Sequence, residues 1–266
     1  MPQRAIGVFD SGVGGLTVLQ ALRTQVPDES LVYLGDTARV PYGTKSPATV
    51  VRYANEAARF LLAQQVKLMI VACNTASAVA LDTLAERCPI PVVGVIEPGS
   101  ARALQVTRNG RIGVIGTEGT IRSGAYDRAL RQIRADVVVH TAACPLFVPL
   151  AEEGWASTEV AHLVARDYLA PLLDKGIDTL VLGCTHYPLL TQTLQDIIGP
   201  QVQLVDSAQE TARIVRARLQ QDALLQQQAA GRPPRYFVTD IPDRFVRIGG
   251  LFLGEPLQDV TTVILD

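Results

Sequence analysis

Short apolar runs alternate along this chain with longer stretches in which apolar residues return every three or four positions. The runs are strand-sized and cover residues 6–9, 30–35, 68–72, 92–95, 111–115, 137–140, 179–182, 203–205 and 235–238. Several are apolar throughout rather than alternating, the pattern of strands buried on both faces of a parallel sheet. Between them lie helix candidates. One runs from 47 to about 64 and opens with Pro47 directly after Ser46, a favoured first-turn placement. Another spans 158–173, with Gly176 available to close it. A third opens at Ser207-Ala208-Gln209-Glu210, which has capping-box form, and is expected to continue into the Gln-rich stretch 220–228. Strands and helices in this order predict an α/β fold with mainly parallel sheets flanked by helices.

The pattern also repeats. RAIGVFDSG at 4–12 is echoed by RIGVIGTEG from 111, LMIVACNTAS by TLVLGCTHYP, and VVGVIEPGS by VQLVDSAQE, each about 106 to 111 residues later. Three matches in register predict two pseudo-symmetric lobes with a cleft between them. The first would comprise 1–97 plus 207–266 and carry Cys73. The second would comprise 98–206 and carry Cys184. Ligands of open α/β sheets sit outside the strand C-termini, so two facing lobes would bring both cysteines to one cleft.

Composition narrows the options. The chain has 266 residues, is 48% apolar and has a formal charge of −2. A core of ordinary size is affordable to such a chain, and no basic face for nucleic acid is expected. The first residues contain no apolar stretch of signal-peptide length, and no apolar run is long enough for a membrane helix. A cytoplasmic location is therefore expected, with the four cysteines (73, 88, 144 and 184) reduced. None forms a C-x-x-C pair, and no Cys/His spacing resembles a metal site.

Cys73 and Cys184 each end an apolar strand just before a helix. There the helix N-terminus favours thiolate over thiol. Polar residues follow each: Asn74 and Thr75 in one case, Thr185 and His186 in the other. Two such groups facing one carbon suit removal of a proton from one side and delivery to the other. The bland reading is that both are core cysteines, the treatment adopted for Cys88 and Cys144. A redox pair is a third possibility. Asp10 and Ser11 end the first strand before Gly12, Gly14 and Gly15, a turn without the spacing of a nucleotide loop. These glycines would let backbone approach a small ligand, and Asp10 would take an ammonium, orient a neighbouring acid/base group or merely cap a helix. Pro41-Tyr42-Gly43 is a stiff element suited to closing over a ligand. Thr117 and Thr120 occupy the matching loop of the second copy, and Glu152 and Glu153 form a charged pair expected in a loop.

Taken together, FDSGVGGLTV, YLGDTARVPYGTKS, VACNTASA, VIGTEGTIRSGAY, ACPLFVPLAEEG and LVLGCTHYPLL resemble the glutamate racemases of the aspartate/glutamate racemase superfamily. The resemblance spans essentially the whole chain. It implies Cys73 and Cys184 as the acid/base pair, with Asp10 assisting Cys73, and His186 and Glu152 assisting Cys184 or binding the substrate ammonium. It also implies substrate contacts from Asp10, Ser11, Pro41, Tyr42, Gly43, Asn74, Thr75, Thr185 and His186, with Thr117 and Thr120. No cofactor or metal is implied. The family commonly forms homodimers and supplies D-glutamate for peptidoglycan. An aspartate racemase, a non-catalytic amino-acid sensor and a thiol–disulfide protein are the competing readings.

Overall fold

The computed structural model describes residues 3–226 and 233–266. The first half of the chain runs β1 (Ile6–Asp10), α1 (Leu16–Gln25), β2 (Leu31–Gly35), α2 (Pro47–Ala63), β3 (Leu68–Val71), α3 (Asn74–Arg87), β4 (Val92–Gly94) and α4 (Ile96–Val106). The second half continues with β5 (Arg111–Gly116), α5 (Glu118–Ser123), α6 (Ala125–Ile133), β6 (Val138–Ala143), α7 (Phe147–Glu152), α8 (Glu159–Leu173), β7 (Thr179–Gly183), α9 (Thr191–Ile198) and β8 (Gln203–Asp206). A tail of α10 (Ser207–Gln221), β9 (Arg235–Val238), α11 (Pro242–Leu253) and β10 (Val260–Thr262) follows.

The strands form two parallel sheets. One has the order β10-β9-β2-β1-β3-β4 and the other β6-β5-β7-β8. Within each, the central strands are buried on both faces, as their continuous apolar runs require: all of Leu68–Val71 and all of Thr179–Gly183 are inside. Register decides what emerges at the strand ends. Phe9 pairs with Val71, so Asp10 and Cys73 leave the first sheet side by side. Gly116 pairs with Gly183, so Thr117 and Cys184 leave the second sheet likewise. The tail then returns to the six-stranded sheet: Ala212, Val215 and Leu219 of α10 and Phe245 and Ile248 of α11 join the core built on Leu16 and Leu19.

Local chemistry explains the helix starts. Ser46 accepts from Thr49 N with Pro47 following it, and Thr158 accepts from Ala161 N. The expected capping box at Ser207 is not what holds α10. Asp206, one residue earlier, accepts from Ala208 N at 2.9 Å, and Glu210 pairs with Arg213 instead. The helix runs two residues into the Gln-rich stretch 220–228 and stops at Gln221; residues 227–228 of that stretch lie outside the described residues. The short, half-exposed edge strand β10 lacks any buried run and was not among the expected strands. Among the described residues no helix is long and apolar enough to cross a membrane.

Candidate active site

Cys73 is the N-cap residue of α3, at the end of that helix where N–H groups lack helical partners. The Ser11 hydroxyl and the Ala76 N–H act to lower its pKa. Burial nonetheless pushes the thiol up to about 12, and the charge of Asp10 adds to the effect. Asp10 is wholly buried and accepts from Gly12 N at 2.9 Å. Burial raises its pKa, and the charge of His186 opposes that rise. The turn that holds Asp10 is itself pinned, because Tyr33 Oη donates to Gly12 O at 2.8 Å.

Cys184 follows β7 and is served differently. His186 Nδ1 lies 3.8 Å from its sulfur, and His186 Nε2 lies 2.9 Å from Glu152 Oε1. The other oxygen of Glu152 accepts from Arg244 Nη2 at 2.9 Å. Burial disfavours charge on the imidazole, but the bonds to Cys184 and Glu152 outweigh it and raise His186 to about 10. Burial likewise pushes Glu152 up, yet His186 and Arg244 together hold it below the usual carboxylate range.

The two halves interlock. Thr185 Oγ1 donates to Asp10 Oδ1 at 3.4 Å. The hydroxyls of Thr75, Thr117 and Thr120 form a mutual triangle with edges of 2.8, 3.1 and 3.0 Å. Tyr126 Oη donates to Asn74 Oδ1 at 2.7 Å, while Asn74 Nδ2 is buried without a hydrogen-bond partner. Glycines permit the approach. A Cβ on Gly14 would meet Thr185 Oγ1 and lie 2.5 Å from His186 Nδ1; one on Gly43 would lie 2.6 Å from Thr117 Cβ. A cleft of about 700 Å³ opens over this region, walled in part by Gly12, Pro41, Gly43, Thr117, Glu152 and Arg244. The thiols do not line the cleft. Both lie deeper, each 6% exposed.

Most expected residues therefore converge, but not all as expected. Gly14 makes room for Thr185 and His186, and Gly15 for Asp10 and Tyr33, so those glycines serve side chains of the site itself. The Tyr42 side chain turns inward, giving its hydroxyl to Asp36 and its ring to Phe9 and Tyr53, so that Pro41 and Gly43 line the cleft and Tyr42 does not. Glu152 ends a helix and is committed to His186; only Glu153 fits the solvated charge pair expected there. Arg244, Phe252 and Tyr126 were not singled out by sequence. Each is an ordinary helix residue whose relevance arises from a partner far along the chain.

A sequence profile described as Asp/Glu/Hydantoin racemase matches residues 6–215. Over 266 residues the chain is 59% identical to the glutamate racemase of Geobacter metallireducens, covering all of this chain and 98% of that protein. A crystal structure of a glutamate racemase isoform from Bacillus anthracis superposes with a TM-score of 0.95 at 40% identity, covering 100% and 99% of the two chains. The glutamate racemase of Francisella tularensis, solved in complex with D-glutamate, superposes with a TM-score of 0.94 at 40% identity and the same coverage.

Proposed function

The chain belongs to the Asp/Glu/hydantoin racemase family and is an amino-acid racemase, and from that premise we propose that it interconverts L- and D-glutamate by proton transfer between Cys73 and Cys184. The observation that carries the mechanism is the pairing of two slightly exposed sulfurs at matching strand ends, each with its own titratable helper: Asp10 for Cys73, and His186 with Glu152 for Cys184. One sulfur removes the Cα proton as thiolate. The other, as thiol, delivers a proton to the opposite face. In the reverse direction they exchange roles.

Proton holding follows from the electrostatics. Cys73, pushed up to about 12, keeps its proton at neutral pH and is poised as the acid. To act as base it must pass that proton on. Asp10, raised by burial, is a stronger proton acceptor than an ordinary carboxylate and shares its pocket. On the other side His186, raised to about 10, favours its charged form beside Cys184 and is itself steadied by Glu152. Positioned acid/base groups contribute about 10²–10⁴-fold each. The weak acidity of an α-proton beside a carboxylate demands more, supplied by a dry site and donors preorganised for developing charge. Asn74 Nδ2, Thr75 and Thr185 are the donors proposed for the α-carboxylate. The lobes proposed to close over substrate are 1–97 with 207–266, and 98–206. The scheme uses side chains alone, without cofactor. A cytoplasmic homodimer providing D-glutamate for peptidoglycan completes the proposal.

The test is incubation of the pure protein with L-glutamate in D₂O without additives. Deuterium should enter at Cα as optical rotation decays, and Cys73→Ala and Cys184→Ala should each abolish both. Near-normal turnover in either variant would refute the two-thiol scheme.

A further inference from the structure

Helix α11 reaches the Cys184 half of the cleft at two points. Its first turn carries Arg244, which donates to Glu152 Oε2 at 2.9 Å and lies 3.7 Å from Glu153 Oε1. Its last turn carries Phe252, whose ring stands edge-on to the His186 imidazole with centroids 5.4 Å apart and planes at 88°. Yet α11 is built into the other half of the molecule. It follows β9, which pairs with β2, and it buries Phe245 and Ile248 in the core under α1. The side of the protein that carries Cys73 thus supplies outer supports for the helper pair of Cys184.

The Arg244 side chain is 64% exposed, so its ion pair by itself adds little to stability. Its significance lies in geometry. Glu152 is gripped through both oxygens, one by Arg244 and one by His186, so it cannot turn without losing a bond. His186 in turn has Phe252 against its ring and the Gly14 backbone beside Nδ1. Its contact with the Cys184 sulfur, at 3.8 Å, is long enough that a small tilt would break it. The partners of Cys73, namely Ser11, Ala76 N and Asp10, include nothing from α11.

We propose that Arg244 and Phe252 are positioning residues through which α11 orients Glu152 and His186, and that they govern proton transfer at Cys184 and not at Cys73. The proposal rests on the two-thiol reading above. Because the enantiomers are equal in energy, any variant must lower kcat/KM equally in both directions, so rates alone cannot tell which thiol is affected. Isotope effects can. Slowing transfer at Cys184 makes that step more limiting. The Cα-deuterium effect then rises in the direction in which Cys184 takes the hydrogen and falls in the opposite direction.

The experiment compares Arg244→Met, Arg244→Lys and Phe252→Leu with wild type, measuring kcat/KM and the Cα-deuterium effect in both directions. Arg244→Met should lose about tenfold in kcat/KM, a fraction of the roughly 10²-fold that a 1 Å misplacement costs, and the two isotope effects should move apart. Lysine, able to reach one carboxylate oxygen, should recover most of the loss. Phe252→Leu should show the same divergence with a smaller loss. Isotope effects that stay fixed, or move in the same sense in both directions, would overturn the proposal. With Cys184→Ser inactive, that result would leave the two-thiol scheme standing; near-normal turnover in Cys184→Ser would overturn both.

Discussion

Strands β1 to β4 and strands β5 to β8 are laid out in the same order, with β1 and β5 central and β2 and β6 beside them. The cysteines occupy equivalent places, Cys73 two residues beyond β3 and Cys184 one residue beyond β7, 111 positions apart. Their helpers do not correspond. Where the first half has Asp10 at the end of its central strand, the second has Gly116, and it takes a carboxylate from α7 through His186. One thiol therefore sits by a buried carboxyl group and the other by a buried imidazole. The two halves keep the place of each cysteine while the groups beside it differ. Two proton carriers in opposed positions, as proposed, need not be assisted alike.

The comparison breaks most severely at Gly14, where the two halves touch. Gly14→Ala pushes a methyl group against Thr185 and to 2.5 Å from His186 Nδ1. We expect at least a roughly 10²-fold fall in kcat/KM, in line with the cost of a 1 Å misplacement, in a protein whose circular dichroism is unchanged. Near-wild-type turnover would show that Thr185 and His186 can yield without consequence.

The difference between the helpers is sharpened by paired variants. Asp10→Asn and His186→Asn should each reduce kcat/KM by about 10²-fold, the lower end of what an acid/base group contributes. Their Cα-deuterium isotope effects should shift in opposite senses for a given direction of reaction. Identical shifts would mean that the helpers do not belong to separate thiols.

A smaller effect should appear in stability. His186 binds its proton more tightly folded, at about 10, than unfolded, near 6.5. Its contribution is therefore fully present below pH 6.5 and is lost as pH rises through about 10. Denaturant unfolding across that window should show a decline of at most about 1.4 kcal/mol per pH unit, and His186→Asn should remove it. An identical decline in the variant would mean that other groups, Cys73 among them, carry all of it.

Much of this was legible in the chain. Short apolar runs marked nine of the ten strands among the described residues, most plainly β3 and β7, where double burial leaves few alternatives to apolar residues. The repeat was visible because equivalent strands must fill equivalent cores, and the cysteines stood out because strand ends followed by polar residues are unusual places for a core side chain. The helix start at Asp206 was misplaced by one residue, since two neighbouring oxygens competed for the same N–H groups and only backbone direction selects between them.

What the residues alone determined is the set of groups at each strand end, because period and strand length place them there whatever lies opposite. Which of those groups face one another was decided by tertiary structure. Arg244 meets Glu152, Thr75 meets Thr117, and Gly14 gives way to His186 only because two separately formed sheets pack with their strand ends together. Such contacts leave no local periodicity, and a residue that acts on a partner many positions away resembles any other residue of its helix until the chain has folded.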